Sequence, residues 1–599
     1  MLYSADFETI VNDENGEKAD QTRVWAYAII EVGNDKNFYY GNNINDFMQF
    51  CEEHNNSTFY FHNLKFDGEF ILYWLFEHGF EWTNSNKLKS KQFKTLISEM
   101  GAFYCIEVCF GIKKRKKVEV KFYDSMKIFN MSVSDLARGF GMEMSKLEID
   151  YEEYREEGHI LTQQEIDYIH NDVAIVAKAL EFFILKEGYN KMTIGSNAIE
   201  QFKNIFGKKN FTKVFPNPER YDKFIRSAYK GGFCYVNKEF IDKDIGQGFV
   251  LDVNSLYPWA MWDSKNLYPY GEPLEFNGKY EEDKIYNLYI QKFRCNFKLK
   301  KNHIPCVQQR HGRYAETEYL ESSNGEDLIF TMTSIDLQLF FEQYDVFNIE
   351  WLGGFKFKSK SGFFTKYIDK YSKMKIDAKA EHNKALYLTA KMFLNNLYGK
   401  FATNPITRQK IPYLNDEGII KYRFSEEETL EPVYIPVACF VTSYARRKTI
   451  TSAQKIEDNY FSGKSKMRFV YADTDSLHIS NPNNEPSPNY LDIDDYKLGA
   501  WKREFNFIKA RYLRPKCYME FGRESEFNYN FYDDSFMGNE QLYWKKTIAG
   551  ANDKVKENIN WDNFHKSNDN YKAQFEGKLR PTHVKGGIVL KDTVFTIRK

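Results

Sequence analysis

Asp6 and Glu8 stand two residues apart in Tyr3-Ser4-Ala5-Asp6-Phe7-Glu8-Thr9, a run with strand character, so both side chains point to one face. Two like charges side by side on a half-buried strand are costly unless a cation neutralises them. Asp67 follows an apolar strand in Phe61-His62-Asn63-Leu64-Lys65-Phe66-Asp67, and Tyr168 and Asp172, four apart in a helical segment, share a face. Four acids and a tyrosine could hold two Mg2+ ions about 4 Å apart and activate a water for in-line attack on a phosphodiester. A second set begins at Asp252, the one acid in the apolar run Gly248-Phe249-Val250-Leu251-Asp252-Val253, where it needs a partner or a metal. Far downstream, Asp473 and Asp475 are again two apart, at the turn of Tyr471-Ala472-Asp473-Thr474-Asp475-Ser476. Three carboxylates on adjoining strands make a phosphoryl-transfer centre in which one ion lowers the pKa of a hydroxyl and another holds a triphosphate. Each short pattern alone is an ordinary surface or turn; only the sets are specific.

Between the two sets lies a segment with a basic edge. Lys391, Asn395 and Tyr398 in Lys391-Met392-Phe393-Leu394-Asn395-Asn396-Leu397-Tyr398-Gly399 are spaced by four and three and line one helical face. Lys384, seven residues earlier, extends that edge. The lysines suit triphosphate oxygens, Tyr398 offers a flat wall to a base pair, and Gly399 is the expected helix end.

These groups need elements to position them. Strand-like runs at 2–8, 24–31, 57–61, 103–110 and 118–124 precede a helix-like segment at 163–187, and the basic cluster Lys113–Lys117 reads as a hairpin tip. A strand at 248–253, helical periodicity over 364–401 and a hairpin at 468–479 complete a mixed α/β pattern without a Gly-rich phosphate loop or internal repeat.

A length of 599 residues suits several domains or one large multi-lobed enzyme, and 42% hydrophobic content excludes wholesale disorder. No stretch nears ~18 uninterrupted apolar residues, so neither a membrane-spanning nor a secreted protein is expected. Eight scattered cysteines without a C-x-x-C predict neutral, buried thiols rather than disulfides or zinc. The net charge of −1 argues weakly against a polyanionic partner, but it is an average. Lys366–Lys400 carries eight lysines to three acids, Ala500–Cys517 six bases to one acid and Thr442–Lys466 six to two, whereas Glu143–Asp167 has nine acids to two bases. Basic segments separated by acidic ones suit a groove that is positive where a polyanion lies. The 17% aromatic content is mostly core material, with a few tyrosines free to lie against bases.

The ordered set Asp6-x-Glu8, Asn63-x3-Asp67 and Tyr168-x3-Asp172 resembles the three exonuclease motifs of proofreading DNA polymerases. Asp252-x2-Ser255-Leu256-Tyr257-Pro258, Lys391-x3-Asn395-x-Leu397-Tyr398-Gly399, Tyr471-x-Asp473-Thr474-Asp475-Ser476 and Lys516-x-Tyr518 resemble the polymerase motifs of family B DNA polymerases, in the family's order. Over essentially the whole chain the likeness is to the protein-primed branch of small tailed (podovirus-type) bacteriophages. A first motif at residue 6 and two stretches long enough for insertions favour that branch over cellular enzymes. The resemblance implies an α/β and α+β multidomain fold, with an RNase H-like (DnaQ-like) exonuclease domain at 1–190 and a right-hand polymerase. In that layout the palm is 191–263 and 435–548, the fingers 366–403 and the thumb 549–599. Two terminal-protein-region insertions fall at 264–365 and 404–434, the second serving strand displacement and processivity. The implied activity is DNA-directed DNA synthesis primed by a terminal-protein hydroxyl and then by a primer 3′-OH, with 3′-5′ proofreading, for a linear viral genome in the infected bacterial cytoplasm.

The same resemblance assigns roles. Asp252 and Asp475, with the Val253 carbonyl, would ligate the synthesis metals, and Asp473 would support them. Lys384, Lys391, Asn395, Tyr257 and Tyr398 would line the nucleotide pocket, with Tyr257 a steric gate against a 2′-hydroxyl. Asp6, Glu8, Asp67 and Asp172 would ligate the degrading metals, assisted by Tyr168 and by Lys146 in Lys146-x2-Ile149. His62, Asn63, Phe66, Ser125 and Met126 would hold a frayed single strand. Tyr229, Gly231 and Gly232 of a Tyr-x-Gly-Gly element, Thr442, Arg446, Lys516 and Tyr518 would contact template-primer DNA. Two Mg2+ per site, replaceable by Mn2+, are implied. The implied partners are template-primer DNA, single-stranded DNA, dNTPs, a terminal protein and a single-stranded-DNA-binding protein, with a monomeric enzyme and no membrane. Departures are small: Asn396 stands where Ser is common and Met126 where Leu is common. The alternatives are a DNA-primed family B enzyme, a stand-alone nuclease that would leave Asp252 and Asp475 idle, an RNA polymerase or reverse transcriptase opposed by Tyr257, and a scaffold with no use for the acids.

Overall fold

The computed structural model describes residues 1–599 apart from 114, 143–148, 311–316, 526–528, 531–534, 537–540, 566–573 and 598–599. Its N-terminal strands are β1 (Leu2–Thr9), β2 (Val24–Glu31), β3 (Asn34–Gly41), β4 (Thr58–Phe61), β5 (Glu81–Trp82), β6 (Gln92–Ile97), β7 (Phe103–Lys113) and β8 (Lys116–Asp124). They form one sheet in the order β3-β2-β1-β4-β8-β7-β6-β5. Strand β1 pairs antiparallel with β2 and parallel with β4, and its burial on both faces accounts for an almost wholly apolar sequence around its two acids. Helix α1 (Leu64–Glu77) packs into one core with Tyr3, Ala5 and Phe7, whereas α2 (Gln163–Leu180) joins another with Ala26, Ala28 and Ile30. Thr162 and Glu165 form a capping box that starts α2. The helix expected over 163–187 stays α-helical only to Leu180 and widens into a π turn at Glu181–Lys186. Arg115, at φ 64°, turns the β7–β8 hairpin where the basic cluster predicts a tip.

The second sheet is assembled from distant pieces. β9 (Cys234–Val236) and β10 (Gly248–Val253) come first, then the short helix α3 (Leu256–Trp262). β11 (Tyr268–Phe276), β12 (Leu288–Leu299), β13 (Leu328–Thr333), helix α4 (Ser334–Gln343) and β14 (Tyr344–Lys360) follow, the strands forming a separate antiparallel sheet ordered β11-β14-β12-β13. Helices α5 (Thr365–Ala380) and α6 (Lys384–Phe401) replace the single helix expected over 364–401. The break lies at 381–383, where His382 takes φ 55° and Asn383 caps α6 by accepting from Leu386 N. Gly399 does not end α6, which runs on to Phe401. A hairpin of β15 (Lys410–Leu414) and β16 (Ile420–Phe424) leads to the long helix α7 (Ile435–Phe461). Strands β17 (Arg468–Asp473), β18 (Ser476–Ser480), β19 (Trp501–Arg514), β20 (Cys517–Glu524) and β21 (Tyr543–Ile548) complete the sheet as β21-β20-β19-β10-β18-β17-β9. A last hairpin pairs β22 (Gln574–Val584) with β23 (Gly587–Thr596).

All eight cysteines are free thiols, six of them buried. Among the described residues, no helix is long and apolar enough to cross a membrane.

Candidate active sites

The first carboxylate set converges on the face of β1 that meets α2. Oxygens of Asp6, Glu8 and Asp172 all lie within 4.8 Å of one another. Asp67, in the first turn of α1, is buried nearby, and its Oδ1 has no hydrogen-bond partner among the described residues. Burial and then the Asp172 charge push the Asp6 carboxyl up to about 8. Burial followed by the Asp6 charge pushes Glu8 and Asp67 well above the usual carboxylate range. Burial also raises Asp172, against a hydrogen bond from Tyr168. Crowded acids and an orphaned buried oxygen fit divalent cations better than any side-chain partner.

Tyr151 is a neighbour that spacing could not reveal: its hydroxyl meets the hydroxyl of Tyr168 at the rim of this cluster. Lys146 lies outside the described residues. Asn63 is exposed at the start of α1, with φ 87°, and Phe66 is half-buried beside Phe70. Met126 is half-buried and caps to Asp124 Oδ1 through its backbone N–H at 3.0 Å. Half-buried His62 donates from Nε2 to the Met131 carbonyl at 2.8 Å, and its Nδ1 lies 2.9 Å from Ser125 Oγ. Ser125 is fully buried and donates to Phe61 O, so the two side chains brace the loop.

The second set sits at one end of the central strand β10. Asp252 pairs in register with Ser476 on one side and Lys502 on the other. Asp475 is brought to it by a tight turn: Thr474 takes φ 62°, Asp475 N donates to Asp473 O at 2.7 Å, and Val253 N donates to Asp475 O at 2.8 Å. Burial raises Asp475 to about 6, with Asp473 and Glu504 adding repulsion. Burial, then Glu504 and Asp475, hold Asp252 well above its ordinary value against Lys545 and Lys502. Glu504 is thus a further acid of this site, missed because it follows no short spacing rule. Asp473 is tied by Lys516, whose Nζ donates at 2.9 and 3.0 Å. Tyr518, two residues on from Lys516, is buried and stacked on Tyr512 with ring centroids 5.4 Å apart.

Tyr257 and Tyr398 stack face to face, 4.0 Å between centroids, which brings α3 and α6 together above the acids. Lys391 and Asn395 line a cavity of about 400 Å³ whose far wall is Asn130, Met131, Asp135 and Arg138. Lys375, on α5, lies close to Lys391 without a spacing rule that links them. Burial and the charges of Lys391, Lys379 and Lys502 lower it to about 8. Lys384 is not in that group; its Cδ would lie 3.6 Å from a Cβ on Gly141, on the side of the first sheet.

The Tyr-x-Gly-Gly element bears directly on the second site. A Cβ on Gly232 would sit 2.6 Å from Thr474 Oγ1, so only glycine lets the loop lie against the catalytic turn. Arg446 holds that loop, donating to Lys230 O at 2.6 Å and Gly231 O at 2.7 Å while bound to Asp336 of α4 at 2.6 Å. Arg446 is 3% exposed, and Thr442 is buried with Oγ1 donating back to Ala438 O. Arg446 thus braces the loop from inside. Tyr229 remains half-buried near Tyr398.

Known proteins fit this geometry. A family model described as DNA polymerase type B, organellar and viral, matches residues 49–490. The DNA polymerase of Bacillus phage M2 is 40% identical over 600 residues, covering 100% of this chain and 99% of that one. That of Streptococcus phage Cp-1 is 32% identical over 620 residues, covering 100% and 98%. The structure of phi29 DNA polymerase complexed with primer-template DNA matches with a TM-score of 0.89 at 38% identity, with 100% of each chain covered. The chain therefore belongs to the organellar and viral type B DNA polymerases, in the protein-primed branch of phages such as phi29, B103 and Nf.

Proposed function

We propose that this polymerase works with two separate metal centres: synthesis at Asp252 and Asp475, and 3′-5′ degradation at Asp6, Glu8, Asp67 and Asp172. The observation that carries this is the placement of two carboxylate clusters on the central strands of two different sheets. Two Mg2+ per centre, or Mn2+, would lower the pKa of the attacking hydroxyl or water and stabilise the charge on the leaving group, pyrophosphate in synthesis and the 3′-oxygen of the shortened strand in degradation. The chain's own groups do the rest. Asp252, Asp475 and the Val253 carbonyl present ligand oxygens, while Asp473, tied to Lys516, shapes the turn. Lys375 and Lys391 receive triphosphate oxygens, with Asn395 beside them, and the Tyr257–Tyr398 stack opens to admit a base pair, leaving Tyr257 against the sugar as the gate. Tyr168 and Tyr151 orient the scissile phosphate of a strand held by Asn63, Phe66 and Met126.

The layout that suits these sites is a DnaQ-like exonuclease over 1–190, palm at 191–263 and 435–548, fingers at 366–403 and thumb at 549–599. Insertions at 264–365 and 404–434 would then meet a terminal protein and the template. A structure titled as phi29 DNA polymerase with primer-template DNA and incoming nucleotide substrates, and another with single-stranded DNA, support primer-template DNA, dNTPs and single strands as ligands here. The enzyme would act as a monomer in the cytoplasm of an infected bacterium, alongside a single-stranded-DNA-binding protein. The test is a primed single-stranded circle with dNTPs and no helicase. Products longer than the circle are expected; products that stop at full circle would refute strand displacement.

A further inference from the structure

Helix α3 carries Tyr257, yet it is only seven residues long and begins at Ser255 with φ 57°, so its orientation must be set from outside. Two anchors do this. On the fingers side, Trp262 Nε1 donates to Asp369 Oδ1 of α5 at 2.7 Å. On the palm side, the Trp259 indole lies flush on Gly499, where a Cβ would fall 1.9 Å from Trp259 Cδ1. Above it, Lys448 Nζ of α7 sits 4.4 Å from the Trp259 ring centroid and 5.9 Å from that of Trp501. Trp501 is itself fixed: it is 1% exposed, its Nε1 donates to Ser452 Oγ at 3.2 Å, and it pairs in register with Val253. Gly499 N and Asn254 O are bonded at 2.9 Å, as are Asn254 N and Ala500 O. The lysine therefore joins the helix bearing the tyrosine to β19, the strand that pairs with β10 at the metal-facing Val253. A half-buried ammonium facing two indoles is an attractive and directional contact.

We propose that Lys448 and Trp259 form the palm-side seat of α3, and that they are positioning residues for nucleotide selection because they fix the place of Tyr257 against the incoming sugar. The proposal rests on the gate reading of Tyr257. Losing the cation frees α3 to tilt about its Asp369 anchor, which loosens the sugar pocket without removing any group that touches the nucleotide. The effect belongs in substrate binding and in dNTP-over-rNTP preference more than in the chemical step.

The experiment compares full-length wild type, Lys448→Met, Lys448→Arg and Tyr257→Val for single-nucleotide incorporation of dATP and ATP on a primed template. Degradation of single-stranded DNA and thermal melting check that each variant is folded. Lys448→Met is expected to raise the KM for dATP and to reduce discrimination against ATP, each by about three- to tenfold, the scale of one cation–π contact. kcat for dATP should change less than KM, and Lys448→Arg, which keeps the cation over the rings, should behave as wild type. If Tyr257→Val admits ATP while Lys448→Met keeps wild-type KM and discrimination, the seat is refuted and the gate stands. If Tyr257→Val still rejects ATP, the gate reading fails and this proposal falls with it. A Lys448→Met enzyme that loses kcat for dATP and ATP equally, with discrimination intact, also overturns it and leaves a general structural role.

Discussion

The two proposed metal centres use the same side chains under different electrostatic terms. Around Asp6 the acids crowd one another, and the nearest arginine, Arg155, is engaged by Glu165 at 3.1 Å. Around Asp475 the protein supplies its own cations: Lys516 on Asp473, and Lys502 and Lys545 near Asp252. Burial is the largest cause in both: it pushes Asp6 to about 8 with Asp172 adding repulsion and Asp475 to about 6 against Lys516, and Asp252 too stands well above its ordinary value. The degrading site is built to be neutralised from outside and is poised around cations alone. The synthetic site is partly balanced already, which suits a centre that must also admit a triphosphate carrying its own charge.

Exchanging the damage between the sites should break this comparison most sharply. Asp475→Ala is expected to reduce primer extension by roughly a thousandfold or more while single-strand degradation continues, and Asp6→Ala with Glu8→Ala the reverse. One variant abolishing both activities in gel assays would mean the centres are not separate. Next in size, Lys516→Ala strips Asp473 of its partner and should slow extension about ten- to a hundredfold, leaving degradation untouched. Lys375→Ala should raise the KM for dNTPs roughly tenfold, whereas Lys384→Ala should change it by less than about twofold. Equal effects would return Lys384 to the triphosphate.

The smallest effect is on stability. Asp6 has a folded pKa near 8, above its ordinary 3.8, so between those values the folded chain holds more protons than the unfolded one. Melting of the metal-free protein should therefore fall as pH rises from about 4 to about 8, through ionisation of the crowded acids. Asp6→Asn should flatten that slope more than Asp475→Asn does, and added Mg2+ should recover most of the lost melting temperature at pH 8. Identical slopes in both variants would erase the electrostatic distinction.

The acids were readable because strand and helix periods put them on common faces, and Tyr257 and Tyr398 because flanking motifs fixed their register. Lys375, Glu504 and Tyr151 were not, since each reaches its site from an element with no fixed offset to the motif residues. Arg446 is the opposite case. Its charge is visible in sequence, but which side of α7 faces the interior depends on α4, which arrives from an insertion. Ser125 and His62 likewise show in sequence only as polar side chains; their bonds to Phe61 O and Met131 O come from the fold. The break at 381–383 was hidden because lysines and alanines continue a helical pattern across it. Sheet order, with β10 and β18 paired across a long insertion, depends on pairing that no local pattern encodes.

The Arg446–Asp336 pair has an implication for shortening the enzyme. Asp336 belongs to the segment between α3 and α5, which looks detachable because its strands form a sheet of their own. Cutting that segment out would strand a buried guanidinium, a defect of about 3–5 kcal/mol, beneath the loop that touches Thr474. A trimmed version would need Arg446 replaced by a neutral residue of similar bulk in the same step. What looks like an accessory is, in engineering terms, a structural tenant of the active site.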